Sequence, residues 1–247
     1  MQKSTDGGKT WSPMSYVSPG FPNSGADSAP LVVEPSGRID VLYQGYQVSN
    51  PPTDTLGTGS SYFTSSADGG QTWSAPVNVS GPETMSTLEW WIDGDISIDS
   101  AGNLYATWDS QGTNPDGSAN DIGWLSYSSD HGATWSSPEQ VPAEQANAPH
   151  ITQVAGGGSG VAYVGWLTSS SPQGYAEYLR TFSITSGWLS APVQVSTAYG
   201  DPGVWPGDTF GIAALSPTSL VLGWGSATAA TGKKSEIFAA PVSVQLP

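Results

Sequence analysis

The amino-acid sequence predicts an all-β fold made of repeated antiparallel sheets. Three observations predict it: a turn-rich, charge-poor composition, an eight-residue motif recurring at a constant interval, and apolar hairpins alternating with that motif. Charged residues make up 11% of the 247, against 31 Gly and 20 Pro, so turns are many and helices few. Eleven Trp and ten Tyr must either fill cores between sheets or line a binding surface. The length suits a single domain over residues 1–247, because repeat folds hold such a chain around continuous cores.

The motif is Ser4-x-Asp6-x-Gly8-x-Thr10-Trp11, repeated as Ser66-x-Asp68-x-Gly70-x-Thr72-Trp73 and as Ser128-x-Asp130-x-Gly132-x-Thr134-Trp135. Trp11, Trp73 and Trp135 stand 62 residues apart, an interval long enough for one four-stranded sheet. Asp and Gly favour a tight turn in which the carboxylate accepts backbone N–H groups, and the Trp packs over neighbouring strands. A fourth, decayed copy ends at Trp188, with the Asp and Gly of the frame lost.

Between the motifs lie apolar segments separated by Gly or Pro turns: 31–34 with 39–43, 96–99 with 104–108, 151–154 with 161–166, and 211–215 with 220–224. They predict four inner hairpins. A third strand follows, clearest at 61–64, 123–127 and 177–182.

The pattern S-x-D-x-G-x-T-W is the Asp box, and the sequence resembles the Asp-box (BNR repeat) sialidase-like β-propellers. That resemblance implies a β-propeller of four-stranded antiparallel blades, four of them in this chain, at about 27–80, 90–142, 147–195 and 204–245, with an N-terminal outer-strand segment at 1–20. It also implies that the boxes are structural turns between third and fourth strands, on the face away from the active site. Gly207-Asp208-Thr209-Phe210-Gly211-Ile212 resembles the opening of the closing blade in secreted members, with Phe210 one place beyond the usual Tyr. Two arrangements follow. Residues 12–18 give the last blade its outer strand and close a four-bladed ring, or the chain is part of a six- or seven-bladed propeller that exposes apolar flanks and associates with another copy.

Propellers bind ligands at the end formed by the loops that lead into the inner strands. Those loops carry Asp27, then Glu89, Trp90, Trp91, Asp93 and Asp95, then His150, then Trp205 and Asp208. A flat indole beside carboxylates suits a sugar, which offers an apolar C–H face and hydroxyl groups. Asp93, Asp95 and Asp208 are the candidate catalytic carboxylates, since glycoside hydrolysis needs two, about 5–5.5 Å or about 6.5–9.5 Å apart. Sialidases hold their substrate carboxylate with three arginines, and this chain has two, Arg38 and Arg180, so sialidase activity is not expected.

The net charge of −15 disfavours nucleic acid as a partner. No apolar run reaches the ~18 residues of a membrane span, and no signal peptide is in view at Met1. Zero Cys removes disulfides and thiolate metal sites. No cofactor or metal is implied, apart from a reading of the Asn114 to Asp121 loop as a calcium site that lacks EF-hand spacing. The expected location is extracellular or on the cell surface. Three functions remain: a noncatalytic glycan-binding or adhesive module, favoured by the Trp–Asp loops and missing arginines; a glycoside hydrolase or a fragment of one; and a protein-interaction scaffold.

Overall fold

The computed structural model describes residues 1–18, 24–48, 56–81, 94–113, 119–142, 149–168, 174–207, 210–228, 232 and 234–245. All its regular elements are strands, in four antiparallel sheets. The first sheet comprises β1 (Ser24–Asp27), β2 (Leu31–Val33), β3 (Ile39–Val48), β4 (Leu56–Ser66) and β5 (Val77–Asn78). The inner strand is split into β1 and β2, which both pair with β3, and Ser28 at the break adopts φ 42°. The second sheet runs β6 (Asp95–Ile98), β7 (Leu104–Thr113), β8 (Ala119–Ser128), β9 (Glu139–Gln140).

In the third sheet, β10 (Pro149–Gly156), β11 (Val161–Thr168) and β12 (Glu177–Ser183) are followed by a divided outer strand, β13 (Gly187–Trp188) and β14 (Val193–Gln194). The fourth sheet departs from the expected four strands. It contains β15 (Phe210–Ser216), β16 (Ser219–Ala227) and β17 (Ser235–Ser243), and β17 is its edge among the described residues.

The sheets stack as consecutive blades because alternate residues of each strand face opposite neighbours. Leu42, Phe63, Ile96, Leu104 and Trp108 form the core between the first and second blades. Tyr105, Val164, Trp166, Tyr178 and Phe182 fill the next gap, and Tyr163, Leu179, Leu220, Leu222 and Trp224 the last. Polar groups register one blade on the next: Asp95 and Asp99 of the second accept the N–H groups of Val154 and Gly160 in the third.

The intact boxes at Ser66–Trp73 and Ser128–Trp135 join third to fourth strands, as the resemblance implied. In the first of these, Ser66 Oγ donates to Asp68 Oδ1 at 2.8 Å while accepting the Gly70 N–H at 2.8 Å. Asp68 also accepts the Gln71 and Thr72 N–H groups and, at 2.6 Å, the Thr72 hydroxyl. The same bonds recur around Asp6 and Asp130. Gly8, Gly70 and Gly132 adopt φ 85°, 86° and 80°, conformations that a Cβ would strain.

These bonds hold the Asp6 and Asp130 carboxyls at about 2, led by the Thr10 and Thr134 hydroxyls, and push Asp68 lower still. Their contribution is therefore full above the unfolded carboxyl range and is lost as pH falls through it toward 2. Asp68→Ala is expected to lower the melting temperature at pH 7 and to narrow the gap from the parent at pH 2. An unchanged melting curve at pH 7 would contradict the role assigned to this carboxylate.

The N-terminal segment does not complete the fourth sheet. Ser12 and Ser15 donate backbone N–H bonds to Lys3 and Met1, at 2.8 and 2.9 Å, and Ser15 Oγ reaches the Gly70 carbonyl. Met1 lies over Gly70 as Phe63 lies over Gly132. Residues 1–18 thus occupy the place of a blade preceding the first. The expectation that residues 12–18 close a four-bladed ring is corrected: the post-box segment follows its own box onto the first blade.

Candidate functional site

The strand ends opposite the boxes bring together side chains from the second and third blades and from the loop before the fourth. Asp109, midway along β7, is buried and faces the third blade. There it accepts the Thr152 N–H at 3.0 Å and the Thr152 hydroxyl. This is possible because β10 bulges between His150 and Thr152, with Ile151 at φ 53°, turning that amide toward the neighbouring blade. Burial pushes the Asp109 carboxyl up to about 6; the charge of Asp121 adds to the rise, while His150 and the Thr152 bonds oppose it.

Asp121, at the start of β8, accepts or shares a proton with His150 Nδ1 at 2.8 Å. The His150 ring meets Trp205 edge-on, with centroids 5.3 Å apart and planes at 76°. Tyr175 meets the same indole at 5.3 Å and 86°. Trp205 is thereby held from two sides while 41% of it stays exposed. The result is a braced aromatic surface with a carboxylate and an imidazole at its rim.

Of the residues expected from sequence, His150 and Trp205 are brought together here. The Asp95 carboxylate accepts the Ile96 N–H at 2.9 Å and the Val154 N–H at 3.0 Å, joining two blades. Asp27 is exposed on the first blade, where its Oδ1 caps the Ser28 N–H at 2.8 Å. Glu89, Trp90, Trp91, Asp93 and Asp208 lie outside the described residues. So does most of the proposed calcium loop, and its last three residues, Ala119 to Asp121, are part of β8. Among the described residues no three His, Asp or Glu side chains form a metal-binding group, and no helix is long and apolar enough to cross a membrane.

Asp109 and Tyr175 were not singled out by sequence, and Asp121 entered only as the last residue of the loop read as a calcium site. The pairing of Gln111 with Asp121 in the long β7–β8 hairpin was the available signal, since it carries both acids toward the same end. Both arginines are engaged elsewhere. Arg38 binds Asp40 at 2.9 Å and the His131 carbonyl on the box face. Arg180 donates to the Ser190 and Pro142 carbonyls and lies 5.2 Å from the Trp188 ring centroid.

Residues 2–13 match the BNR/Asp-box repeat family. The structure resembles that of a protein of unknown function from Dyadobacter fermentans DSM 18053, with TM-score 0.61 and 15% identity over 99% of this chain. The chain spans 63% of the length of that protein. It also resembles a family 117 glycoside hydrolase from the marine bacterium Zobellia galactanivorans, with TM-score 0.50 and 12% identity over 90% of this chain and 71% of that one. An α-L-arabinofuranosidase from Lactobacillus brevis gives TM-score 0.50 and 12% identity over 87% of this chain and 72% of that one. No curated protein sequence matches the chain. Identities this low carry the fold alone: four antiparallel blades of the β-propeller fold, with the BNR/Asp-box repeat matched at residues 2–13.

Proposed function

We propose that the surface around Trp205 is a binding site for neutral carbohydrate, in a secreted or surface-exposed noncatalytic module. The observation that carries this reading is the braced, partly exposed indole with Asp121 and His150 beside it. A sugar ring stacks its C–H face on such an indole and directs hydroxyls to a carboxylate and a ring nitrogen. Neutral rather than anionic sugars fit, because both arginines are committed to protein groups. Asp95 and Asp109 spend their oxygens on backbone and Thr152, which favours binding over hydrolysis.

Glycoside hydrolysis is the second reading. One observation favours it: Asp109 keeps its proton up to about 6 beside Asp121 and His150, as a general acid requires. Two of the structures sharing the fold are the glycoside hydrolases named above.

Titration of neutral oligosaccharides into the folded protein, followed by calorimetry, tests the binding reading. Trp205→Ala is expected to weaken binding about tenfold or more, equivalent to about 1.4 kcal/mol. Equal affinity in parent and variant, or no binding to any neutral glycan, would contradict it. Release of reducing sugar that Asp109→Asn abolishes would favour hydrolysis instead.

A further inference from the structure

Two loops at the mouth end of the third blade are locked together where they cross. One precedes β12 and carries Gly174 and Tyr175; the other follows β14 and carries Tyr199 and Gly200. The Gly200 N–H donates to the Tyr175 carbonyl at 2.7 Å. Gly174, at φ 104°, leaves no room for a Cβ, which would overlap the Gly200 carbonyl oxygen. The first loop is pinned to β11, because Thr168 donates its N–H to the Ala176 carbonyl at 2.9 Å while its hydroxyl accepts the Ala176 N–H at 3.0 Å. The second is pinned to β12, where Ser196 Oγ accepts the Glu177 N–H at 3.1 Å. Backbone contacts thus fix Tyr175 and Tyr199 on neighbouring segments before any ligand arrives.

Tyr199 keeps 39% of its surface exposed, close to the 41% of Trp205. Its hydroxyl lies 3.2 Å from that of Tyr178, which lies 3.3 Å from Gln194 Oε1 on the outer strand. An exposed ring tethered at its far end loses little freedom when a ligand covers it. The strands of this blade run β10, β11, β12, β14 from inside to outside. His150 on β10 holds one side of Trp205, Tyr175 just before β12 holds the other, and Tyr199 reaches the Tyr178–Gln194 pair that joins β12 to β14. Three interstrand steps of about 4.7–4.9 Å separate β10 from β14, so this aromatic row crosses about 14 Å of the mouth. A single sugar ring on Trp205 covers only part of it.

We propose that the mouth of the third blade binds an extended neutral oligosaccharide, longer than a disaccharide, which runs from His150 and Trp205 outward to Tyr199. This rests on the reading of Trp205 as a sugar-stacking surface and adds the class of ligand, a linear glycan chain rather than a single sugar. One unit stacks on the Trp205 indole and a unit further along the chain stacks on the Tyr199 ring, where the apolar C–H faces of both are covered.

Calorimetric titration with neutral fragments of arabinan, galactan and β-glucan, from disaccharide to hexasaccharide, tests this. In a series that binds, affinity is expected to rise about tenfold or more between disaccharide and tetrasaccharide. Tyr199→Ala is expected to remove that rise and leave disaccharide affinity unchanged, whereas Tyr199→Phe, which keeps the ring, retains most of it. Trp205→Ala is expected to weaken every length. The size series on the parent depends on no variant, and circular dichroism checks that each variant is folded. A tetrasaccharide bound no more tightly than the disaccharide, or a Tyr199→Ala variant with the parent's length dependence, would overturn the extended site and leave the role of Trp205 intact. A Trp205→Ala variant that binds the disaccharide as the parent does, or no binding in any series, would overturn the Trp205 reading and the extended site with it.

Discussion

Trp166→Ala is expected to destabilise the chain by about 3–5 kcal/mol, the range for emptying a fully buried large aromatic site. Trp166 has no exposed surface and stacks on Tyr178, with centroids 5.8 Å apart and planes at 14°. It belongs to the core between the second and third blades, the pair that carries Asp109, Asp121 and His150. The resulting cavity therefore loosens the blade contact that shapes the mouth, and sugar affinity is expected to fall along with stability. Trp11→Ala, removing an indole that is 61% exposed, serves as the control and is expected to stay within about 0.5 kcal/mol. Urea unfolding of the two variants checks the contrast. Equal midpoints would show that blade packing is not what holds this chain together.

The second large effect has the opposite sign. Glu177 is fully buried at the start of β12, and neither carboxyl oxygen has a hydrogen-bond partner among the described residues. It faces the fourth blade near Gly165, where an added Cβ would lie 3.0 Å from Phe210, 3.1 Å from Leu222 and 3.4 Å from Glu177 Oε1. Burial in this apolar gap pushes the Glu177 carboxyl well above the usual range. A group whose folded-state pKa is raised stabilises fully below its unfolded value, and that contribution is lost as pH rises through the folded value. Asp109, raised to about 6, acts in the same sense between about 4 and 6.

Glu177→Leu is accordingly expected to gain about 1–4 kcal/mol at neutral pH, as buried ionisable groups replaced by apolar ones of similar volume often do. The variant should also lose less stability than the parent between pH 5 and pH 9. Thermal unfolding across that range checks both. A Leu variant less stable than the parent at pH 8 would mean that the carboxyl is required where it sits.

The sequence made the architecture legible because the box turn depends on particular residue types. Only Gly tolerates φ near 85° without strain at Gly8, Gly70 and Gly132, and only a short carboxylate reaches the two amides beyond Asp68. The inner hairpins were legible by alternation, and the third strands with them. What escaped was pairing between blades. Adjacency to two Trp suggested that Asp95 faces a sugar, whereas its carboxylate faces the amide of Val154, 59 residues on. Asp109 meets Thr152 at a bulge, and Glu177 is enclosed by residues of the next blade. No local pattern encodes such contacts. His150 and Trp205 were nameable because they stand just before inner strands, but their bracing by Tyr175 and Asp121 required the fold.

The central claim is that the Trp205 surface holds a sugar, and a crystal structure of the chain soaked with a neutral oligosaccharide that it binds tests this most directly. The expected result is a sugar ring stacked on the Trp205 indole, with hydroxyls within hydrogen-bond distance of Asp121 or His150. A ring bound elsewhere, with Trp205 bare, would contradict it.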